Sequence, residues 1–125
     1  MRQYVVNCYE FNYKTMFDEL EKYTNNGHFF FQPDHNLAKV SNVPKDLEGL
    51  YLIYALERGR VNLVFIGTKL PEGQWAPKML LEDIEALDIY WYASENNGKS
   101  DDPKAMKAEI LKVYKSVYGI KPRWN

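Results

Sequence analysis

Lysines on the last predicted helix are one set of residues that could contact a phosphate group. The apolar face of this helix is marked by side chains spaced four, three and four residues apart, namely Met106, Ile110, Val113 and Val117. Four lysines fall mainly on the face directed away from it: Lys104, Lys107, Lys112 and Lys115. They could form a phosphate-binding stripe, but charged helix faces are more often simply solvated. We therefore favour a solvated face.

Two histidines and one cysteine are the other candidates for metal binding or redox chemistry. His28 and His35 are seven residues apart across a predicted strand and turn, a spacing that matches no recognisable zinc site. A surface or structural role is favoured for both. Cys8 is the single cysteine, which excludes an internal disulfide and a cysteine-cluster zinc site.

The size and composition of the chain predict one folded domain spanning residues 1–125. The sequence is 46% hydrophobic and 15% aromatic, so it can bury a core. The formal net charge is -1, from 16 basic and 17 acidic residues. Proteins that grip duplex DNA without sequence preference usually carry a basic surplus. Any nucleic-acid surface is therefore expected to be a local patch.

The sequence gives no sign of a membrane association or of secretion. Met1–Glu10 has no long apolar run and does not read as a signal peptide. No stretch approaches the roughly 20 apolar residues that a membrane-spanning helix needs. We predict a soluble cytoplasmic protein with no membrane partner.

The first 41 residues are predicted to form an N-terminal α/β extension. Met1–Asn7 reads as a short strand, and a helix is expected from Phe11 until Asn25–Gly27, whose residues tolerate positive φ. Phe29–Phe31 reads as a brief buried strand, and the cluster Pro33–Asn36 predicts a turn.

The remaining residues are predicted to form a small α+β core. Gly49–Leu56 and Val61–Gly67 are apolar strands joined as a hairpin through Glu57–Arg60. Since neither strand alternates cleanly with polar residues, the sheet should be covered on both faces. A helix (Trp75–Leu87), a third strand (Leu87–Ala93) and a last helix follow, the last with Pro103 in its first turn, Asp101 or Asp102 as its cap and Gly119 as its stop. The fold class is α+β, with a mixed or antiparallel central sheet of about three strands flanked by helices.

Two short triplets mark the predicted hairpin. Gly49-Leu50-Tyr51 opens its first strand and Phe65-Ile66-Gly67 closes its second, with 13 residues between them. Together with the following helix, strand and helix, with Glu109 and with the ending Pro122-Arg123-Trp124-Asn125, they resemble the GIY-YIG endonuclease superfamily. The resemblance covers residues 42–125 and leaves the N-terminal extension outside the matched core.

The resemblance implies a site for phosphodiester hydrolysis. Tyr51 corresponds to the tyrosine that positions or activates the attacking water. Glu109 corresponds to the carboxylate that binds one divalent metal ion, Mg²⁺, whose charge stabilises the transition state. Asn125 corresponds to an asparagine near the site. The family also uses a second tyrosine and an arginine that contacts the phosphate in a bidentate manner.

The sequence departs from the family pattern at the last two groups. Phe65 stands where the second tyrosine is expected, and no arginine lies between Gly67 and Leu87. The only basic residues in that stretch are Lys69 and Lys78. Lysine lacks the planar fork of arginine and is not an equal substitute at a phosphate. The short interval between Gly67 and the next helix is consistent with a deletion of the catalytic segment.

Three functions are compatible with these residues. The favoured one is a nuclease-like domain that is catalytically impaired and binds nucleic acid, a protein partner or a second copy of itself. The first alternative is an active, divergent DNA endonuclease that uses Tyr51, Glu109 with Mg²⁺, and Lys69 or Lys78 in place of the arginine. The second alternative is an unrelated α+β interaction module. The last of these predicts that Tyr51 and Glu109 lie far apart.

Overall fold

The central element of the protein is a four-stranded antiparallel sheet. The computed structural model describes residues 17–70, 75–96, 99–100 and 102–125. The strands are β1 (Asn26–Phe31), β2 (Gly49–Glu57), β3 (Arg60–Gly67) and β4 (Ala86–Ala93), in the order β1-β4-β2-β3. Two short strands, β5 (Glu95–Asn96) and β6 (Lys99–Ser100), form a separate two-stranded ladder.

The β2–β3 hairpin is confirmed, with a two-residue turn. Arg58 and Gly59 take φ angles of 51° and 77°. Positive φ at both central residues is the signature of a type I′ turn, whose twist matches that of the flanking strands. A register shift between Ile53 and Tyr54 is a bulge that leaves Val64 without a partner of its own. As a result, the neighbouring side chains of Val64 and Phe65 both pack on the same side of the sheet.

In the described part of the chain, three helices accompany the sheet: α1 (Leu37–Val40), α2 (Trp75–Leu81) and α3 (Pro103–Tyr118). The prediction for α3 is confirmed at both ends. The Asp102 side chain accepts a hydrogen bond from the backbone N–H of Lys104, and Pro103 occupies the first turn. Gly119 ends the helix at a φ of 79°. Within the described residues, no helix combines the length and apolar character required to cross a bilayer.

The sheet is covered on both faces, as predicted. Trp75 and Met79 of α2 pack with Ile53 of β2 and Ile89 of β4, and we call this side the α2 face. On the other side, here called the α3 face, Met106 and Ile110 of α3 pack with side chains that include Leu50, Leu52 and Ile66. Adjacent residues of β2 thus serve two separate core layers, because successive side chains of a strand point to opposite faces.

The number of strands differs from the predicted number of about three. The additional strand is β1, which pairs antiparallel with β4 from Asn26↔Tyr92 to Phe31↔Leu87. It starts three residues before the predicted strand Phe29–Phe31. Part of the predicted N-terminal extension therefore forms the edge strand of the sheet and covers the side of β4 that would otherwise be unpaired.

Two predicted helices are shorter or absent in the described part of the chain. Asp18–Leu20 form only a 3₁₀ turn, and Asn26 already belongs to β1. Phe17, Leu20 and Tyr23 are nevertheless buried, since a spacing of three places them on one side of the 3₁₀ turn. The helix predicted for Trp75–Leu87 ends at Leu81, because Asp83 takes a left-handed φ of 59° and the N–H of Ile84 bonds to the carbonyl of Met79. The strand predicted for Met1–Asn7 lies outside the described residues.

The C-terminal tail packs back on the domain. The backbone N–H of Trp124 donates to the carbonyl of Val64 (2.8 Å). The Asn125 amide then accepts from the N–H of Ile66 (2.9 Å) and donates to its carbonyl (2.8 Å). The tail therefore satisfies backbone groups of β3, an edge strand that would otherwise be open to other chains.

Candidate functional site

A cleft of about 450 Å³ lies beside the pair of strands that carries the two triplets. Tyr51 of β2 is directly paired with Gly67 of β3, so the start of one strand and the end of the other meet there. We call this site the Tyr51 cleft. Its described lining residues come from α1, the loop after it, β2 and the segment after β3: Leu37, Ala38, Ser41, Val43, Leu47, Tyr51, Thr68, Lys69 and Leu70.

Close packing near this cleft leaves no room for a side chain at either glycine of the triplets. A Cβ on Gly49 would overlap the backbone oxygen of Tyr92 in the neighbouring strand. A Cβ on Gly67 would overlap the ring of Phe65, which lies against that glycine. Phe65 therefore stands on the same side of the sheet as Tyr51, where the resemblance places the second tyrosine, but it supplies no hydroxyl group.

The polar groups of the cleft are hydroxyl groups and one ammonium group. Burial raises the pKa of the Tyr51 hydroxyl, so at neutral pH this group is protonated and can donate a hydrogen bond. The Ser41 hydroxyl oxygen accepts from the N–H of Val43 (3.2 Å), which leaves its own proton free to donate. Thr68 adds a third hydroxyl group. These groups suit an anionic or strongly accepting ligand.

Lys69 is the single charged residue among the described residues that line the cleft. Its side chain is exposed and has no ion-pair partner in the described part of the chain. A lysine ammonium is a suitable partner for a phosphate oxygen. The rest of the lining is mainly aliphatic, including Leu37, Val43, Leu47 and Leu70. The cleft thus combines an apolar wall with one positive charge.

The other basic candidate, Lys78, lies on α2 outside the described lining of the cleft. Its ammonium group is 5.1 Å from the centre of the Trp124 ring, a cation–π contact. The indole N–H of Trp124 in turn donates to the Glu82 carboxylate (3.2 Å). Arg123 bridges the carboxylates of Glu57 and Glu82 at 3.2 and 3.0 Å. Lys78 therefore takes part in fixing the tail, and Asn125 is bound to the edge of β3.

Glu109 is not brought to the Tyr51 cleft. It is exposed on α3, and α3 packs through Met106 and Ile110 on the opposite face of the sheet from Tyr51. In addition, the described residues contain no group of three or more histidine, cysteine, aspartate or glutamate side chains placed to hold a metal ion.

The two histidines have structural contacts. His28 Nδ1 lies 2.8 Å from the carboxylate of Asp88, which is fully buried in β4, and its ring stacks on Tyr90 at 4.6 Å. His35 Nδ1 accepts from the N–H of Gln32 (3.0 Å) in the turn after β1. His28 and Asp88 are 60 positions apart in the sequence, and the pairing of β1 with β4 brings their side chains together.

Sequence reasoning missed Ser41 and Thr68 as residues of the cleft. Thr68 directly follows the second triplet, a position that could have drawn attention to it. Ser41 belongs to the loop after α1, a short helix that sequence patterns did not predict. Comparison of the chain with protein-family models, with curated proteins and with solved structures found no match.

Proposed function

We propose that this protein is a binding domain with a GIY-YIG-like fold that holds a single strand of nucleic acid in the Tyr51 cleft without cleaving it. The observation that carries the proposal is a cleft that combines an apolar wall with hydroxyl groups and one lysine. The separation of Tyr51 from Glu109 argues against cleavage, and it is equally expected of the unrelated α+β interaction module. Tyr51 and Lys69 line one cleft on the α2 face, whereas the exposed Glu109 stands on the helix that covers the α3 face.

The order of the elements supports the fold part of the proposal. The β2–β3 hairpin is followed by α2, β4 and α3, which is the order that the resemblance implies for residues 42–125. Tyr51 lies on β2, and β2 lies between β3 and β4 in the sheet because it pairs with both of them.

The chemistry of the cleft supports the choice of ligand. A nucleotide unit presents a negatively charged phosphate together with a flat, partly apolar base and sugar. Lys69 can meet the phosphate, the hydroxyl groups of Ser41 and Thr68 can donate to its oxygens, and the aliphatic wall can contact the base or sugar. A single strand is favoured over a duplex because one lysine cannot match the charge density of duplex DNA.

The proposal that the protein does not cleave its ligand rests on two catalytic groups that are not present at the cleft. Hydrolysis by the mechanism of this superfamily needs a metal-bound carboxylate close to the tyrosine, and Glu109 lies across the sheet from it. It also needs the arginine that the sequence lacks between Gly67 and Leu87. Loss of one preorganised donor typically slows an enzyme by about two to three orders of magnitude.

Binding should weaken when the charge of the cleft is removed. We expect Lys69→Ala to reduce the affinity for a fluorescein-labelled single-stranded oligonucleotide about fivefold to tenfold. The slope of log K against log salt should fall by about 0.7, the value for one phosphate contact to a single strand. Fluorescence anisotropy at several salt concentrations measures both quantities.

Lys112→Ala is the matched control, because it removes the same charge from the opposite side of the domain and should leave oligonucleotide affinity unchanged. Equal weakening by the two variants would contradict a site in the Tyr51 cleft. Oligonucleotide binding that is absent in the wild type would favour the α+β interaction module. Mg²⁺-dependent cleavage that is lost in Glu109→Ala would instead establish an active endonuclease.

A further inference from the structure

The side of α3 directed away from Met106 and Ile110 carries a second regular stripe, in which Leu111 is partly buried against the core of the α3 face and the other members are exposed. Its members are spaced four, three, four and three residues apart, namely Lys104, Ala108, Leu111, Lys115 and Tyr118. This is the spacing by which one helix presents a seam to another. Met106 and Ile110, which bury the opposite side of α3, are not part of it.

A groove follows this stripe. It has a volume of about 450 Å³ and is lined by Ala108, Leu111, Lys112, Lys115 and Lys121. The floor is formed by the two apolar side chains, and the lysines stand around it. The groove lies on the α3 face, so it is distinct from the Tyr51 cleft on the α2 face.

Large apolar side chains are exposed where the helix ends. Val117 is 61% exposed, Tyr118 55% and Ile120 67%. The ring of Tyr118 is held against that of Tyr114, with 4.6 Å between the ring centres. Tyr118 continues the stripe, whereas Val117 lies on the side of α3 that carries Met106 and Ile110. A contiguous apolar patch with a charged rim is typical of a surface that binds a partner.

The charge of this surface selects the kind of partner. Residues 102–125 contain six basic and two acidic residues, a net charge of +4, whereas residues 1–101 contain ten basic and fifteen acidic residues, a net charge of -5. Lys112, Lys115 and Lys121 have no ion-pair partner among the described residues. An acidic partner would therefore find three unpaired ammonium groups around an apolar floor.

We infer that the outward face of α3 binds an amphipathic helix of a partner protein, with apolar side chains on Ala108, Leu111 and Tyr118 and with acidic side chains beside Lys112, Lys115 and Lys121. The seam spacing fits a helix lying along α3, and the lysines fit carboxylates at the flanking positions of that helix. A nucleic-acid backbone would use the lysines but would leave the apolar floor and its exposed side chains without a contact.

The test uses the full chain and two synthetic amphipathic helices. Both peptides carry leucine at the a and d heptad positions; one has glutamate at e and g, the other has lysine there. We expect the glutamate peptide to bind and the lysine peptide to bind at least about tenfold more weakly, since like charges across an interface repel. In ¹H–¹⁵N spectra, shifts should concentrate at Ala108, Leu111, Lys115 and Tyr118.

Charge reversal at the rim identifies the groove. In the triple variant Lys112→Glu/Lys115→Glu/Lys121→Glu, the affinity for the glutamate peptide should fall at least about tenfold, and the affinity for the lysine peptide should rise. A control with the same change in net charge on other exposed sites, Lys39→Glu/Lys45→Glu/Arg60→Glu, should behave like the wild type. The Lys69→Ala variant should also bind the peptide normally, so failure here is distinguishable from failure of the nucleic-acid proposal.

Several results would overturn this inference. One is equal binding of the two peptides, and another is equal loss of binding in the two triple variants. Concentration-dependent self-association that is lost only in the Lys112, Lys115 and Lys121 variant would show that a second copy occupies the face. Loss of oligonucleotide binding in that variant, without loss of peptide binding, would assign the lysines to nucleic acid.

Discussion

Replacement of Gly49 by alanine is expected to destabilise the protein by about 3 kcal/mol or more, the upper part of the range for overpacked sites. The added Cβ would overlap the backbone oxygen of Tyr92 and lie 3.0 Å from the Cα of Ala93. Both atoms belong to β4, which is paired to β2 along its whole length. A strand backbone in the middle of a sheet cannot turn aside as a flexible side chain would. Urea denaturation followed by tryptophan fluorescence measures the loss, or shows that the variant does not fold.

Gly119 provides the matched control, because alanine is unfavourable there for a different reason. A Cβ at Gly119 meets no atom within 4 Å, but its φ of 79° disfavours residues other than glycine and asparagine. Gly119→Ala should cost about 1–2 kcal/mol, and Gly119→Asn should cost less. At Gly49, asparagine should be at least as harmful as alanine. A Gly49→Ala protein as stable as Gly119→Asn would contradict the packing described here.

Removal of the indole nitrogen should have very different effects at two buried tryptophans. Trp91 is 6% exposed, and its N–H donates to the side-chain oxygen of Asn42 (2.9 Å). Trp75 is 2% exposed, and its N–H is buried with no hydrogen-bond partner among the described residues. The two replacements by phenylalanine remove the same atoms. We expect Trp91→Phe to cost about 1–3 kcal/mol more than Trp75→Phe, because only the former breaks a hydrogen bond while the latter removes an unsatisfied donor.

The free energies of unfolding of the two variants, measured side by side in urea, test this expectation. The Asn42 amide also donates to the backbone carbonyl of His28 (3.0 Å), so Trp91→Phe should in addition loosen the contact between β1 and the loop after α1. Faster amide hydrogen exchange near Asn42 in Trp91→Phe, and not in Trp75→Phe, is the second readout. A larger loss for Trp75→Phe would show that its indole N–H is satisfied in solution.

The parts of the fold that could be predicted from the sequence are those with strong local signals. The hairpin turn needs positive φ at adjacent residues, which Gly59 makes accessible, and α3 has its cap, its proline and its stop within the chain itself. The edge strand β1 was only partly predicted, because its partner β4 lies about 60 residues further on. The early end of α2 depends on the left-handed conformation of Asp83, which aspartate tolerates better than most residues but which the apolar pattern of the helix did not indicate.

The candidate site could be predicted only in part, for a similar reason. The resemblance singled out Tyr51, Glu109 and Asn125, with Lys69 or Lys78 in place of the missing arginine. Of these five residues, Tyr51 and Lys69 belong to the described lining of the cleft. The helical pattern predicted α3, which carries Glu109 on its exposed surface. It could not indicate which face of the sheet α3 covers, since that depends on how the chain connects β4 to α3. Whether Glu109 can reach Tyr51 is therefore a property of the tertiary structure alone.

The central claim is that nucleic acid binds in the Tyr51 cleft, and one measurement tests it most directly. It is a ¹H–¹⁵N NMR titration of the full chain with a single-stranded oligonucleotide of about 8 nucleotides, a length within the usual range for such sites. An ionic strength of about 0.15 M limits weak contacts between exposed charges. We predict that the largest shifts fall at Ser41, Tyr51, Thr68 and Lys69. Shifts confined to the lysines of α3, or no shifts at saturating oligonucleotide, would contradict the claim.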